Sequence, residues 1–218
     1  MAINVNYLNT TSSSSLYSKL QHQTPPTFST HVFQVKALLG GAKTLIESGK
    51  VRAIVPKEAA AAISSSRFVL LDVRPEWERQ KAHVTGSLHV PFFVEDKDNG
   101  PVTLLKKWVH FGYIGLWTGQ AFTTINPEFL NRVRGVVPDQ DSSLLVACGE
   151  GLRSMMAVSK LHEAGYKNLA WLAGGFNRAG DGDFPVEGTE KLQYAAIGGV
   201  SYYFLKLLLL IEAAGKSQ

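Results

Sequence analysis

A single cysteine, Cys148, stands among 218 residues. No internal disulfide can therefore form, and the spacing of Cys and His offers no metal-ligand set, so no metal is expected. Residues 1–45 contain no aspartate, no glutamate and no arginine. Their lysines, Lys19, Lys36 and Lys43, account for three of the formal net charge of +4, which leaves 46–218 close to neutral. The basic patch that a nucleic-acid partner requires is missing, and none is expected. No long apolar core follows a basic start, which argues against a secretory signal. Charged residues make up 18% of the chain against 45% hydrophobic, a balance that supports one ordinary core with appendages. The lone thiol fits a reducing compartment.

The acid-free segment is instead rich in hydroxyls, with an unbroken Ser/Thr run from Thr10 to Ser15 followed by Pro25-Pro26. Such a stretch cannot build a core. Residues 1–45 read as a disordered organelle transit peptide, plastid in type because arginine is absent; a generic disordered tail is the alternative. From residue 50 to 188 the composition is globular. Arg52–Val55 reads as a strand, Pro56 opens a helix over Lys57–Ile63, Phe68–Val73 is a buried strand, and Pro75–Lys81 is a short helix. Alternating strands and helices predict an α/β fold: one open, mostly parallel five-stranded sheet with helices on both faces and function at the carboxyl ends of the strands.

One such end carries the chemistry. Leu144–Ala147 is a short apolar strand that runs into Cys148-Gly-Glu-Gly-Leu-Arg153-Ser154, and the pattern from Met155 to Ala164 is helical, stopped by Gly165. A lone cysteine is most often an inert buried small residue. Between strand and helix, however, Gly149 and Gly151 let the loop curl until N–H groups point inward around the sulfur. Together with the helix amino terminus and Arg153, these favour the reactive thiolate. Asp72, Arg74 and His83 invite comparison with a cysteine-protease arrangement. Asp72 and Arg74 follow a strand, and His83 precedes the turn Val84-Thr-Gly86, so all three read as supports of neighbouring loops.

Cys148 with Arg153 five residues later resembles the active loop of the rhodanese-like family of sulfurtransferases, of the single-domain kind found in plant chloroplasts. Leu70-Leu-Asp-Val-Arg-Pro-Glu-Trp-Glu-Arg79 with His83-Val-Thr-Gly-Ser87 is similar to that family's amino-terminal signature. Leu169-Ala-Trp-Leu-Ala-Gly-Gly-Phe176 is similar to its carboxy-terminal one, although Arg178-Ala-Gly-Asp stands where a tryptophan usually closes it. The resemblance implies that Cys148 attacks a small sulfane-sulfur donor of the thiosulfate type. It would hold the sulfur as a persulfide and pass it to cyanide or a thiol. Gly149, Glu150, Gly151, Leu152, Arg153 and Ser154 would bind the charged species, without a cofactor. Only four residues separate Cys148 from Arg153, a sulfur-sized loop one residue shorter than in the phosphatase and arsenate-reductase relatives. Removal of Arg153 is expected to lower turnover and leave the fold intact.

Two stretches lie outside that resemblance. The interval of about 95–125 is longer than such a domain needs: Asp96-Lys-Asp-Asn-Gly-Pro101 is turn chemistry, and Trp108 to Trp117 is aromatic but broken by glycines. It is either a functional surface or aromatic packing onto the domain. Asn126 reads as the cap of a following helix with Pro127 at its first position. Within 189–218, Tyr194–Ile211 is an apolar helix of about 27 Å, just short of a hydrocarbon core of about 30 Å. It attaches to a membrane, packs on the domain, or fills a partner's groove. These features and Glu150 support an alternative, a catalytically weak docking module for a plastid protein partner or membrane. The location expected from the leader is the chloroplast, in the stroma or at the thylakoid membrane.

Overall fold

The computed structural model describes residues 28–65 and 68–215. Residues 1–27 of the expected leader lie outside that range. Its remainder is helical: α1 runs Phe28–Glu47, taking in the last part of the segment whose composition suggests disorder. From Lys36 onward α1 has a reason to be ordered, since Leu38 and Ala42, one turn apart, are buried, and Gly41 lies where a Cβ would come 2.8 Å from Ser159 Oγ.

After β1 (Val51–Ile54) come α2 (Pro56–Ser64), β2 (Val69–Asp72), α3 (Glu76–Arg79), β3 (Ala82–Val84), β4 (Leu88–His89) and β5 (Phe93–Glu95). The insertion follows as α4 (Pro101–His110), a π-turn (Phe111–Gly115) and α5 (Leu116–Thr118), then β6 (Thr123–Ile125) and α6 (Phe129–Val136). β7 (Leu144–Ala147), α7 (Leu152–Glu163), β8 (Leu169–Leu172), β9 (Val186–Gly188) and α8 (Gly199–Gly215) complete the order. Five strands form one parallel sheet in the order β1-β8-β7-β2-β4. All four residues of central β7 are buried, as expected of a strand covered on both faces. Leu70, Leu145, Ala170 and Leu172 meet Phe176 and Phe184 in the core.

Register places the functional end. Asp72 pairs with Ala147, so the residues after β2 and those after β7 emerge side by side. Phe93–Glu95 and Thr123–Ile125 form an antiparallel ladder that closes the neck of the insertion. The glycines do not break it: the helix continues through the π-turn and ends only at Gly119, with φ +69° at the left-handed position that stops a helix. Asn126 does not cap a helix at Pro127. It is buried, its Oδ1 accepts from Glu128 N at 3.0 Å, its Nδ2 donates to Pro91 O at 2.9 Å, and helix begins at Phe129. The terminal helix starts at Gly199 rather than Tyr194, after a single 3₁₀ turn at Leu192–Tyr194. Among the described residues, no helix is long and apolar enough to cross a membrane.

Beneath the functional end, Asp72 and Arg74 are wholly buried. Arg74 Nε donates to both carboxylate oxygens at 3.0 and 3.1 Å, Arg74 Nη2 donates to Oδ2 at 2.7 Å, and the same Nη2 reaches Ala82 O at 2.8 Å. The guanidinium also lies 4.6 Å from the Phe176 ring centroid, a cation–π contact. Burial pushes the Asp72 carboxyl upward, but the charge and hydrogen bonds of Arg74 outweigh it and hold the group below the ordinary carboxylate value. Removing one partner of such a pair strands the other charge, so Asp72→Asn should cost about 3–5 kcal/mol in urea unfolding at neutral pH. Because the folded value is the lower one, this contribution is complete above about pH 4 and disappears as pH falls through the folded value. The gap between wild type and variant should therefore narrow in acid.

Candidate active site

Cys148 follows β7 directly, where the chain must turn from a buried strand into α7. The turn is held from below by backbone pairing: Phe176 N donates to Cys148 O at 2.9 Å and Asn177 N donates to Gly149 O at 2.8 Å. Gly175 makes this approach possible. Its φ is +66°, and a Cβ there would lie 2.3 Å from Gly149 O and 2.4 Å from Cys148 O. Gly151 reverses the loop with φ +101° and presents its N–H to the sulfur. From the side, Trp171 Nε1 and Ser154 Oγ both donate to Gly151 O at 2.9 Å, fixing the peptide plane that opens α7.

The result is a ringed sulfur. Gly151 N donates to Sγ at 3.1 Å and Ser154 N at 3.3 Å, and Ser154 Oγ stands 3.3 Å away. These groups sit in the first turn of α7, where N–H donors have no partner within the helix and the axis dipole is positive. Cys148 forms the buried floor of a cavity of about 320 Å³. Its walls include Trp77, Glu78, Phe93, Glu150, Arg153 and Met156, so apolar side chains, two acids and one arginine surround the sulfur's exit.

Arg153 is already engaged. Its Nη1 donates to Glu78 Oε1 at 2.6 Å and its Nη2 to Glu78 Oε2 at 2.8 Å, a two-pronged pair with a carboxylate that is 1% exposed. Burial disfavours the guanidinium charge, but the hydrogen bonds and charge of Glu78, with the Cys148 sulfur nearby, more than compensate. Arg153 is more firmly protonated than a free arginine. Glu78 is a site residue that sequence reasoning passes over. It lies on a four-residue helix among Glu76 and Arg79, where an acid reads as solvated surface, and no local pattern marks it as buried.

The other expected residues fall in three places. Gly149 packs beside Arg153, Glu150 is exposed at the cavity rim, and Leu152 is half exposed at the start of α7. Asp72 and Arg74 brace the floor as described, joined by Arg79, whose Nη1 reaches Ser87 Oγ at 2.8 Å and Asp72 Oδ2 at 3.4 Å. His83 faces Glu187 across the β3–β9 ladder, Nε2 to Oε2 3.5 Å, and takes no part in lining the cavity. The imidazole bonded in this region is His89, whose ring contacts Arg74 O at 2.8 Å and Glu76 at 3.2 Å.

The bond to Glu78 changes what is expected of Arg153→Ala. With its partner gone, the Glu78 carboxylate stays buried and unpaired, so the variant should lose about 3–5 kcal/mol in urea unfolding instead of keeping its fold unchanged. Glu78→Leu combined with Arg153→Met should recover most of that loss. If the single variant is as stable as wild type, the pair makes no net contribution.

A rhodanese-like domain model matches residues 55–179. Rhodanese-like domain-containing protein 10 of Arabidopsis thaliana is 67% identical over 175 residues, covering 80% of this chain and 82% of that protein. Rhodanese-like domain-containing protein 11, chloroplastic, of the same plant is 45% identical over 159 residues, covering 73% of this chain and 54% of the relative. Thiosulfate sulfurtransferase 18, also from Arabidopsis thaliana, is 36% identical over 66 residues, 30% of this chain and 48% of that one. With its loop after a central parallel strand and both flanking signatures in place, the chain belongs to the rhodanese-like domain family, some of whose members are sulfurtransferases.

Proposed function

We propose that the protein is a sulfurtransferase that carries sulfane sulfur as a persulfide on Cys148. The observation that supports this most directly is the sulfur itself, lying at the floor of a cavity with the N–H groups of Gly151 and Ser154 aimed at it from a helix amino terminus. The Cys148 thiolate attacks the outer sulfur of the donor. A new S–S bond forms as the donor's own bond to that sulfur breaks, and the electron pair leaves with the donor fragment, sulfite in the case of thiosulfate. An acceptor thiolate or cyanide then attacks the outer persulfide sulfur, and Cys148 departs as thiolate. Both halves conserve electrons, so neither a redox partner nor an organic cofactor is needed, and preorganised N–H dipoles supply the stabilisation.

Charge limits the donor. Glu78 offsets Arg153, and Glu150 at the rim adds a further negative charge, so the entrance does not favour a dianion. A persulfide or polysulfide of lower charge suits it better than thiosulfate. The chain has one cysteine, so the sulfur must leave to an external acceptor. A plastid setting is supported by the acid-free leader and by the chloroplastic relative, with the stroma or the thylakoid surface as the finer choice.

Docking without catalysis is the competing reading, favoured by the engagement of Arg153 with Glu78. Intact mass spectrometry separates the two. After incubation with a sulfane donor the protein should gain one sulfur, which is lost on cyanide treatment and never acquired by Cys148→Ser. Glu150→Gln should lower the apparent KM for thiosulfate by about two- to fivefold, the scale of one exposed charge interaction. Failure of wild type to gain sulfur from thiosulfate, an organic persulfide or a polysulfide would leave the docking reading in its place.

A further inference from the structure

Helix α4 is turned the wrong way round for a soluble surface. Thr103, Lys106, Lys107 and His110 lie on its sheltered side: Lys107 Nζ donates to Asp98 O at 2.7 Å, His110 Nε2 lies 3.1 Å from Gln120 O, and Thr103 bonds Asp98. Val102, Leu104, Leu105, Trp108 and Val109 face outward, between 49% and 79% exposed. At 3.6 residues per turn these five occupy an arc of about 160°. An amphipathic helix on a globular domain buries that arc and exposes its polar side.

Helix α8 is apolar on nearly every side, with Leu205 and Leu209 half-buried on its packed face. Tyr202 Oη donates to Glu190 at 2.6 Å and Lys206 Nζ lies 3.2 Å from the same carboxylate. Tyr203, Phe204, Leu207, Leu208, Leu210 and Ile211 are between 55% and 74% exposed. The two helical segments are joined where glycines let backbones touch: a Cβ on Gly199 would lie 2.4 Å from Leu116 O, and one on Gly119 would lie 2.5 Å from Gly199 N. Lys81 Nζ ties the approach to α8 by bonding Ile197 O at 2.8 Å.

The geometry points to an anionic lipid surface as what covers these faces. From Asn99 to Pro127 there is no acid, and Lys106 and Lys107 are the charges of α4; on α8, Lys206 is held by Glu190 and Glu212 follows Ile211, so that helix adds no net charge. The acid-free, lysine-bearing insertion complements anionic headgroups, whereas protein–protein interfaces are depleted in lysine. Trp108, Tyr113, Trp117 and Tyr203, all exposed, are the residue types that settle at the boundary between headgroups and acyl chains. At 17 residues α8 is about 26 Å long, too short to cross but suited to lying in that boundary. The cavity over Cys148 is lined on one side by Gln120 and Ala121 and on another by Ala196, which leads into α8. Seating the helices on a membrane brings the entrance to Cys148 close to the lipid surface.

The test is flotation of the full chain with vesicles of phosphatidylcholine alone and of phosphatidylcholine mixed with phosphatidylglycerol, beside Leu105→Glu/Trp108→Glu and Phe204→Glu/Leu208→Glu. Wild type should float with the mixed vesicles, less with the neutral ones and less at high salt. Each double variant should cut the bound-to-free ratio at least about tenfold, with an unchanged thermal midpoint. Wild type that stays with neither vesicle, or that proves a stable dimer without lipid, overturns the proposal. So do variants that float as wild type does, or that unfold, which would assign these side chains to the fold.

Discussion

The site depends on how a buried strand becomes a helix around one sulfur atom. β7 delivers Cys148 to the carboxyl edge of the sheet, Gly151 reverses the chain, and α7 begins with N–H groups that have no partner of their own. The sulfur takes two of them, from Gly151 and Ser154. Around that, the molecule supplies rigidity. Phe176 and Asn177 pair with the loop backbone from beneath, Trp171 holds Gly151 O, and the Asp72–Arg74 pair braces the adjoining strand end while Arg74 rests on the Phe176 ring. A loop fixed on so many sides does not have to reorganise when negative charge moves onto its sulfur.

Arg153 contributes differently from the amides. Both of its terminal nitrogens are held by Glu78, which offsets its charge, while the Cys148 sulfur lies close enough to interact with the guanidinium as well. The N–H groups of Gly151 and Ser154 aimed at the sulfur are oriented backbone dipoles, which act locally.

Much of this was legible in the sequence. The strand–Cys148–helix succession and the parallel five-stranded sheet follow from apolar runs, glycine placement and ordered motifs; Asp72 and Arg74 read as supports of neighbouring loops, but their complete burial did not show in the sequence. What escaped needed tertiary knowledge. Glu78 looks like any acid on a short helix until Arg153, seventy-five residues later, is folded against it. The glycines of the insertion suggest a break, yet a helix tolerates them when its ends are pinned by a ladder such as β5–β6. Asn126 has a good capping side chain but spends it on Pro91 and Glu128. In 28–45, composition argues for disorder, while two small clusters of apolar residues suffice for helix once Leu38 and Ala42 find a surface.

The wall of the cavity over Cys148 includes Ala121, after the insertion's helices, and Ala196, before α8. The central claim, that loop N–H groups and not the arginine hold the charged sulfur, is tested most directly by a crystal structure of the protein after reaction with a sulfane donor. The account predicts a second sulfur bonded to Cys148 Sγ, within hydrogen-bond reach of the loop N–H groups, with the Arg153–Glu78 pair intact. A persulfide turned away from those groups, or an Arg153 that has left Glu78 to grip the outer sulfur, would contradict it.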